Sequence, residues 1–231
     1  HEPNGGARYP VPQYSPPLPS AWEVWVRCLE QYPDNLTLVT LGPMTNLARA
    51  LDEGTVPVDR FQRVIAMLGA IAVPGNVTPA AEFNAWVDPH AVQRVLAAGL
   101  PLTLVPLDVT IQVVWSRQRL REVTDASRDP LARFVWDATQ RVLEFTERVE
   151  GIACLHLHDP LAVAAVIDET LLALEHMHVV VETDGTVSRG LTLADRRHLT
   201  TGYQALPNVH VACRVDASRA LRLVEERLCP R

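Results

Sequence analysis

The segment Gly75-Asn76-Val77-Thr78-Pro79-Ala80-Ala81-Glu82-Phe83-Asn84 places two amides and a carboxylate within nine residues, and Val87-Asp88-Pro89 closes it. Such groups at the end of a strand can hold a polar ligand, whereas an Asn/Pro-rich turn uses the same side chains to cap backbone groups. Three further polar clusters have comparable positions: the Leu41-Gly42-Pro43 turn, Asp108, and His158-Asp159. Carboxylates, amide oxygens and backbone carbonyls are the ligand set of a hard cation such as calcium. They also grip sugar hydroxyls, and spacing alone does not separate the two. His158 has the residue type of a proton donor near neutrality. Asp159, ahead of Pro160, also reads as a plain N-cap. His156, two residues away on an extended segment, is expected to face the opposite side.

The elements that must position these groups follow from periodicity. Ser20 reads as the N-cap of a helix through Tyr32, with Trp22, Trp25, Val26 and Leu29 at helical spacing. Leu36–Thr40, Val64–Met67 and Leu102–Pro106 read as short buried strands. The first is followed by a helix through Leu51 and the second by the polar loop and a helix from Pro89 to Leu96. This alternation predicts crossovers and a parallel sheet. Arg117–Val123 and Pro130–Arg148 read as helices, the second with a core-facing stripe of Leu131, Phe134, Val135, Ala138, Val142 and Phe145. The C-terminal third reads as strands His178–Glu182 and Val209–Cys213, with a short strand between them. A closing helix runs from about Ala217 to Leu228, and its Glu225-Glu226-Arg227 is a solvated face.

Composition limits the partners. The 231 residues carry a net charge of -6 with no lysine and no basic run, which argues against nucleic acid. No apolar segment reaches membrane-spanning length. The four cysteines, Cys28, Cys154, Cys213 and Cys229, show neither C-x-x-C nor zinc-type spacing, so reduced thiols in a cytoplasmic protein are expected.

Five motifs then occur in a recognisable order: Leu41-Gly42-Pro43-Met44-Thr45-Asn46-Leu47-Ala48, Met67-Leu68-Gly69-Ala70, the Gly75–Asn84 segment, Leu107-Asp108-Val109-Thr110 and His158-Asp159-Pro160-Leu161-Ala162. In this the chain resembles the inosine-uridine preferring nucleoside hydrolases over nearly its whole length. The resemblance implies an α/β fold with an open, mostly parallel, Rossmann-like sheet and flanking helices, as a single domain over residues 1–231. It implies calcium-assisted hydrolysis of the N-glycosidic bond of a small ribonucleoside, within purine or pyrimidine salvage, and a homo-oligomer at full length. Asn76, Glu82, Asn84 and Met67 match the ribose-binding positions. Asp159 and the Leu41 carbonyl match calcium ligands, and His158 matches the histidine acting on the leaving base. His1, in His1-Glu2-Pro3-Asn4-Gly5-Gly6, resembles a second pocket histidine.

The family's opening aspartate cluster, D-x-D-x-x-x-D-D, is found nowhere in residues 1–231, and Leu68 and Ile111 depart from common family residues. The expectation is therefore an N-terminally incomplete form, without the first strand and helix and with little or no turnover. The alternative is a non-catalytic ribose- or nucleoside-binding module.

Overall fold

Short runs such as Val64-Ile65-Ala66-Met67 are apolar on both faces of the pleat, so they are stable only where a sheet is covered on both sides. A computed structural model, describing residues 17–33, 35–197 and 205–230, shows this arrangement. The strands are β1 (Thr37–Thr40), β2 (Arg63–Met67), β3 (Leu102–Val105), β4 (Val114–Ser116), β5 (Cys154–His156), β6 (Leu172–Met177), β7 (Val179–Val181), β8 (Thr192–Ala194) and β9 (Val209–Val215). The helices are α1 (Ala21–Gln31), α2 (Thr45–Glu53), α3 (Phe83–Val87), α4 (Pro89–Leu96), α5 (Leu107–Thr110), α6 (Arg117–Ala126), α7 (Pro130–Glu150), α8 (His158–Ile167) and α9 (Ala217–Leu228).

The main sheet has the order β1-β2-β3-β9-β6. Its first three pairings are parallel, with Val39 opposite Ile65, Met67 opposite Val105 and Leu104 opposite Val211. β6 runs antiparallel to β9. The pairs β4–β5 and β7–β8 form separate two-stranded sheets. Alternation along β2 divides the apolar interior in two. Val64 and Ala66 pack with Leu47 of α2 and with Val92 and Val95 of α4. Ile65 and Met67 pack on the other side with Leu161 of α8 and Val224 of α9. Parallel pairing brings the C-terminal ends of β1, β2 and β3 to one edge, and that edge carries Leu41, Met67 and the Asp108–Thr110 segment.

The α/β, mostly parallel class follows the expectation, and α4 has the expected bounds. Asp88 accepts from the Ala91 amide at 3.0 Å with Pro89 in the first turn, so both start signals of α4 were local. Ser20 and Glu23 likewise form a capping box at α1.

Three expectations are corrected. The α7 stripe is not core: Val142 is 50% and Phe145 52% exposed, while Ala132, Leu143 and Thr146 face inward. Apolar residues lie on both sides of this helix, so periodicity did not decide which side packs. Glu225 is not solvated; it is 7% exposed and meets Arg119 of α6 at 2.7 Å. β6 was not expected, because its polar residues Glu175 and His176 break the apolar run and leave an edge strand half in solvent. Among the described residues, no helix is long and apolar enough to cross a membrane.

Leu161 fixes the first turns of α8 against the sheet and is fully buried. Leu161→Ala should lower unfolding free energy by about 2–5 kcal/mol in urea titration, at an unchanged denaturant slope. A loss under 1 kcal/mol would show that α8 is not anchored there.

Candidate active site

The Gly75–Asn84 segment is folded more tightly than a polar loop need be. Gly75 donates to the Pro79 carbonyl at 3.2 Å and Val77 to the Ala81 carbonyl at 3.2 Å. A Cβ on Gly75 would lie 2.2 Å from the Ala81 carbonyl oxygen, so only glycine allows this crossing. The Asn76 Oδ1 accepts from the Phe83 amide at 3.0 Å, and the residue is exposed. The segment does not end as a loop: its last residues open α3, which periodicity could not reveal over five residues.

Glu82 caps that helix. One carboxylate oxygen accepts from the Asn84 amide at 2.9 Å; the other accepts from Gly69 at 3.0 Å and Ala85 at 3.2 Å. Glu82 is 2% exposed. Burial holds its carboxyl above the ordinary range, outweighing three amides that pull the other way, and the charge of Asp159 adds to the rise. Gly69 reaches Glu82 from the end of β2 with φ +87°, in the left-handed region that favours glycine.

Asn84 joins two strand ends. Its side-chain amide donates to the Met67 carbonyl at 2.9 Å and reaches the Leu41 carbonyl at 3.4 Å, with the Met67 sulfur 3.6 Å away. Met67, Leu41, Glu82 and Asn84 are therefore brought together. Asn76, exposed on the same loop, is engaged with the Phe83 amide instead. His1 lies outside the described residues.

On the facing side, α8 begins directly at His158 with no side-chain cap; its N-cap residue is Leu157. Asp159 is thus not an N-cap, and its carboxylate pairs with no cationic side chain among the described residues. Partial burial raises its carboxyl above the ordinary range. The His158 Nδ1 lies 2.7 Å from the Thr110 hydroxyl, a partner that spacing gave no means of selecting. Burial, then His156, lowers the imidazole from 6.5 to about 4, with Glu150 opposing. His158 is accordingly neutral near pH 7, which corrects the expectation of a group titrating near neutrality. His156 is corrected too: its ring centroid is 5.8 Å from that of His158, on the same side, because positions two apart on an extended segment share a face and do not oppose each other. Asp108 accepts from the Ile71 and Ala72 amides at 2.8 and 2.7 Å and so anchors the loop after β2.

The Asp159 carboxylate and Leu41 carbonyl are hard oxygen donors, and two carboxylates with raised pKa values, Glu82 and Asp159, suit a nearby cation. They are two of the six to eight oxygens calcium takes. Among the described residues no third acidic or imidazole group converges with Asp159. These residues fit the ion only in part. A cavity of about 660 Å³ lies elsewhere, between α6 and α9, lined by Arg119, Glu225 and Cys229.

Glu82→Gln sets an amide NH2 against backbone donors and should cost about 1–3 kcal/mol in chemical denaturation; an unchanged midpoint would refute the three-amide arrangement. The unfolded chain takes up the His158 proton below 6.5 and the folded chain only below about 4. The stability contributed by the neutral ring is therefore complete above pH 6.5 and is lost as pH falls towards 4, by about 3 kcal/mol. In chelator, His158→Gln should flatten the pH dependence of unfolding over that interval. An unaltered slope would exclude this burial effect.

Residues 1–222 match the inosine-uridine preferring nucleoside hydrolase family. The chain is 32% identical to the pyrimidine-specific ribonucleoside hydrolase RihA of Citrobacter koseri, over 96% of this chain and 70% of that protein. Among solved structures, it superposes on a plant nucleoside hydrolase, PpNRh1, with TM-score 0.87 and 29% identity, covering 99% of this chain and 72% of that one. The purine-preferring ribonucleoside hydrolase of Gardnerella vaginalis gives TM-score 0.84 and 28% identity, covering 98% and 70%. With the family match spanning residues 1–222 and the fold matching as well, the chain belongs to the inosine-uridine preferring nucleoside hydrolase family.

Proposed function

We propose that the protein hydrolyses the N-glycosidic bond of ribonucleosides to ribose and free base. Family membership makes it an N-glycosyl hydrolase. The observation that carries the finer reading is the joining of Leu41, Met67 and Asn84 by one amide, with Glu82 behind them and Asp159 electrostatically coupled to Glu82. The relatives named above divide between pyrimidine and purine nucleosides, so the proposal concerns the ribosidic bond and leaves the base open.

Such bonds break through a positively charged sugar, and negative charge gathers on the departing base. Asn76, Asn84 and Met67 hold the sugar. Glu82, with its oxygens engaged by backbone amides, fixes α3 and lends its charge to the sugar side when ionised. Asp159 and the Leu41 carbonyl would hold part of the shell of a calcium ion, which when bound would supply positive charge for the sugar hydroxyls and the attacking water. His158 faces the base. A neutral imidazole is a poor proton source, so its role is to donate a hydrogen bond from Nε2 while the Thr110 hydroxyl donates to Nδ1. The aspartate cluster from which the resemblance takes the water-activating carboxylate has no match in residues 1–231, so low turnover by this sequence is expected.

Ribose release should be measured in the longest form of the protein its gene encodes, with uridine and inosine. Asp159→Ala should reduce kcat on the order of 10²–10³-fold while circular dichroism is unchanged. Undiminished release by that variant overturns the assignment. Calorimetry addresses the binding-module reading, favoured by a sugar-side wall without the aspartate cluster: calcium-independent nucleoside binding with no ribose release would establish it instead.

A further inference from the structure

Outside the family motifs, three potential metal ligands of different chemistry meet at one point. Among the described residues, the Glu150 carboxylate, the Cys154 thiol and an imidazole nitrogen of His156 form a group whose ligand atoms all lie within 4.8 Å of one another. Cys154 and His156 occupy alternate positions of β5 and so share a face. Glu150 is the last residue of α7, and Gly151, at φ +76°, turns the chain back towards β5.

The arrangement is held from behind. The His156 Nδ1 lies 3.1 Å from the Ile111 carbonyl oxygen. A carbonyl only accepts, so Nδ1 carries the proton and a neutral ring presents its Nε2 lone pair to the cluster. That Nε2 is 3.3 Å from the Glu150 carboxylate and 3.9 Å from the Cys154 sulfur. A lone pair and a carboxylate at this separation repel unless a cation lies between them. The Thr146 hydroxyl, buried, donates to the Cys154 carbonyl at 2.8 Å and accepts from the Cys154 amide at 3.3 Å, fixing the strand that bears both ligands. A histidine with its far nitrogen on a carbonyl is the usual support of a metal-bound imidazole.

The distances also discriminate. Tetrahedral zinc with ordinary bond lengths sets nitrogen and oxygen about 3.3 Å apart and sulfur and nitrogen about 3.6 Å apart. The observed 3.3 and 3.9 Å around the His156 Nε2 reach this with a few tenths of an ångström of closure, and the Glu150 oxygen and Cys154 sulfur, within 4.8 Å of each other, close further through the exposed Glu150 side chain. Calcium takes oxygen donors and has no use for a thiol or imidazole.

We propose that Glu150, Cys154 and His156 form a binding site for a zinc-class divalent cation, distinct from the oxygen donors Asp159 and Leu41. Three protein ligands leave a fourth position for water. On binding, the Cys154 sulfur exchanges its proton for the metal, and one proton is released to solvent per ion bound. A proton held between His156 and Glu150 is the competing occupant of the same point. The proposal is independent of the glycosidic reaction.

The test uses cobalt(II) as a zinc probe on the chelator-treated chain. A near-ultraviolet thiolate-to-cobalt band should saturate at about one equivalent. It should vanish in Cys154→Ser, and His156→Ala and Glu150→Gln should weaken apparent affinity about 10-fold or more. In the unmutated chain, zinc should slow iodoacetamide alkylation of Cys154 about 10-fold or more while calcium does not, and leave Cys28 unaffected. This arm decides the matter if Cys154→Ser fails to fold. Absence of the band, its persistence in a folded Cys154→Ser variant, or unprotected Cys154 in zinc would leave only the histidinium–carboxylate pair and overturn the proposal.

Discussion

The Glu82 carboxylate is the constraint around which the site is arranged. Among the described residues it is buried without a cationic partner, and it is kept in place by amides from Gly69, Asn84 and Ala85. One of these belongs to the turn after β2 and two to α3, so a single group sets the position of a helix against a strand end. Each amide would otherwise be an unpaired buried donor, a substantial penalty. Asn84 then projects back to the Met67 and Leu41 carbonyls only because α3 starts where Glu82 caps it. The proposed sugar-side wall is thus a consequence of helix capping carried out by a buried acid.

The two sides of the site use opposite means. Glu82 is surrounded by donors that favour its charge, yet burial raises its carboxyl. His158 has one hydroxyl partner, and burial together with His156 keeps its ring neutral. The carboxylate has depleted acidity and the imidazole depleted basicity, and Asp159, next to His158 in the chain, adds its charge to the rise at Glu82. Such divergence from ordinary values is characteristic of places where proton positions matter.

Local signals carried most of what sequence could tell. The strands at Val64 and Leu102 and the capped starts of α1 and α4 were legible because each depends on residues within one or two turns. Asn76, Glu82, Asn84, His158 and Asp159 are singled out as a proposed set by their order, not their chemistry. What escaped depends on distant partners. Glu225 is buried because Arg119, 106 positions away, meets it. Helix α7 turns Leu143 inward and Phe145 outward because its neighbours decide, both residues being apolar.

The sheet order has a kinetic meaning. Leu104 of β3 pairs with Val211 of β9, so an interior strand is completed by a segment made 107 residues later. The stretch containing β1 to β3 and the Glu82 cap is contiguous and can assemble early, whereas the flank of β3 stays unpaired until β9 emerges. At synthesis rates of about 5–20 residues per second, that wait lasts roughly 5–20 s. For this interval the nascent chain exposes an apolar strand edge to its surroundings, and closing it forms a contact of long sequence separation, the slow kind. The same topology that gathers the strand ends into one site therefore makes chaperone shielding during translation most valuable between the birth of β3 and that of β9.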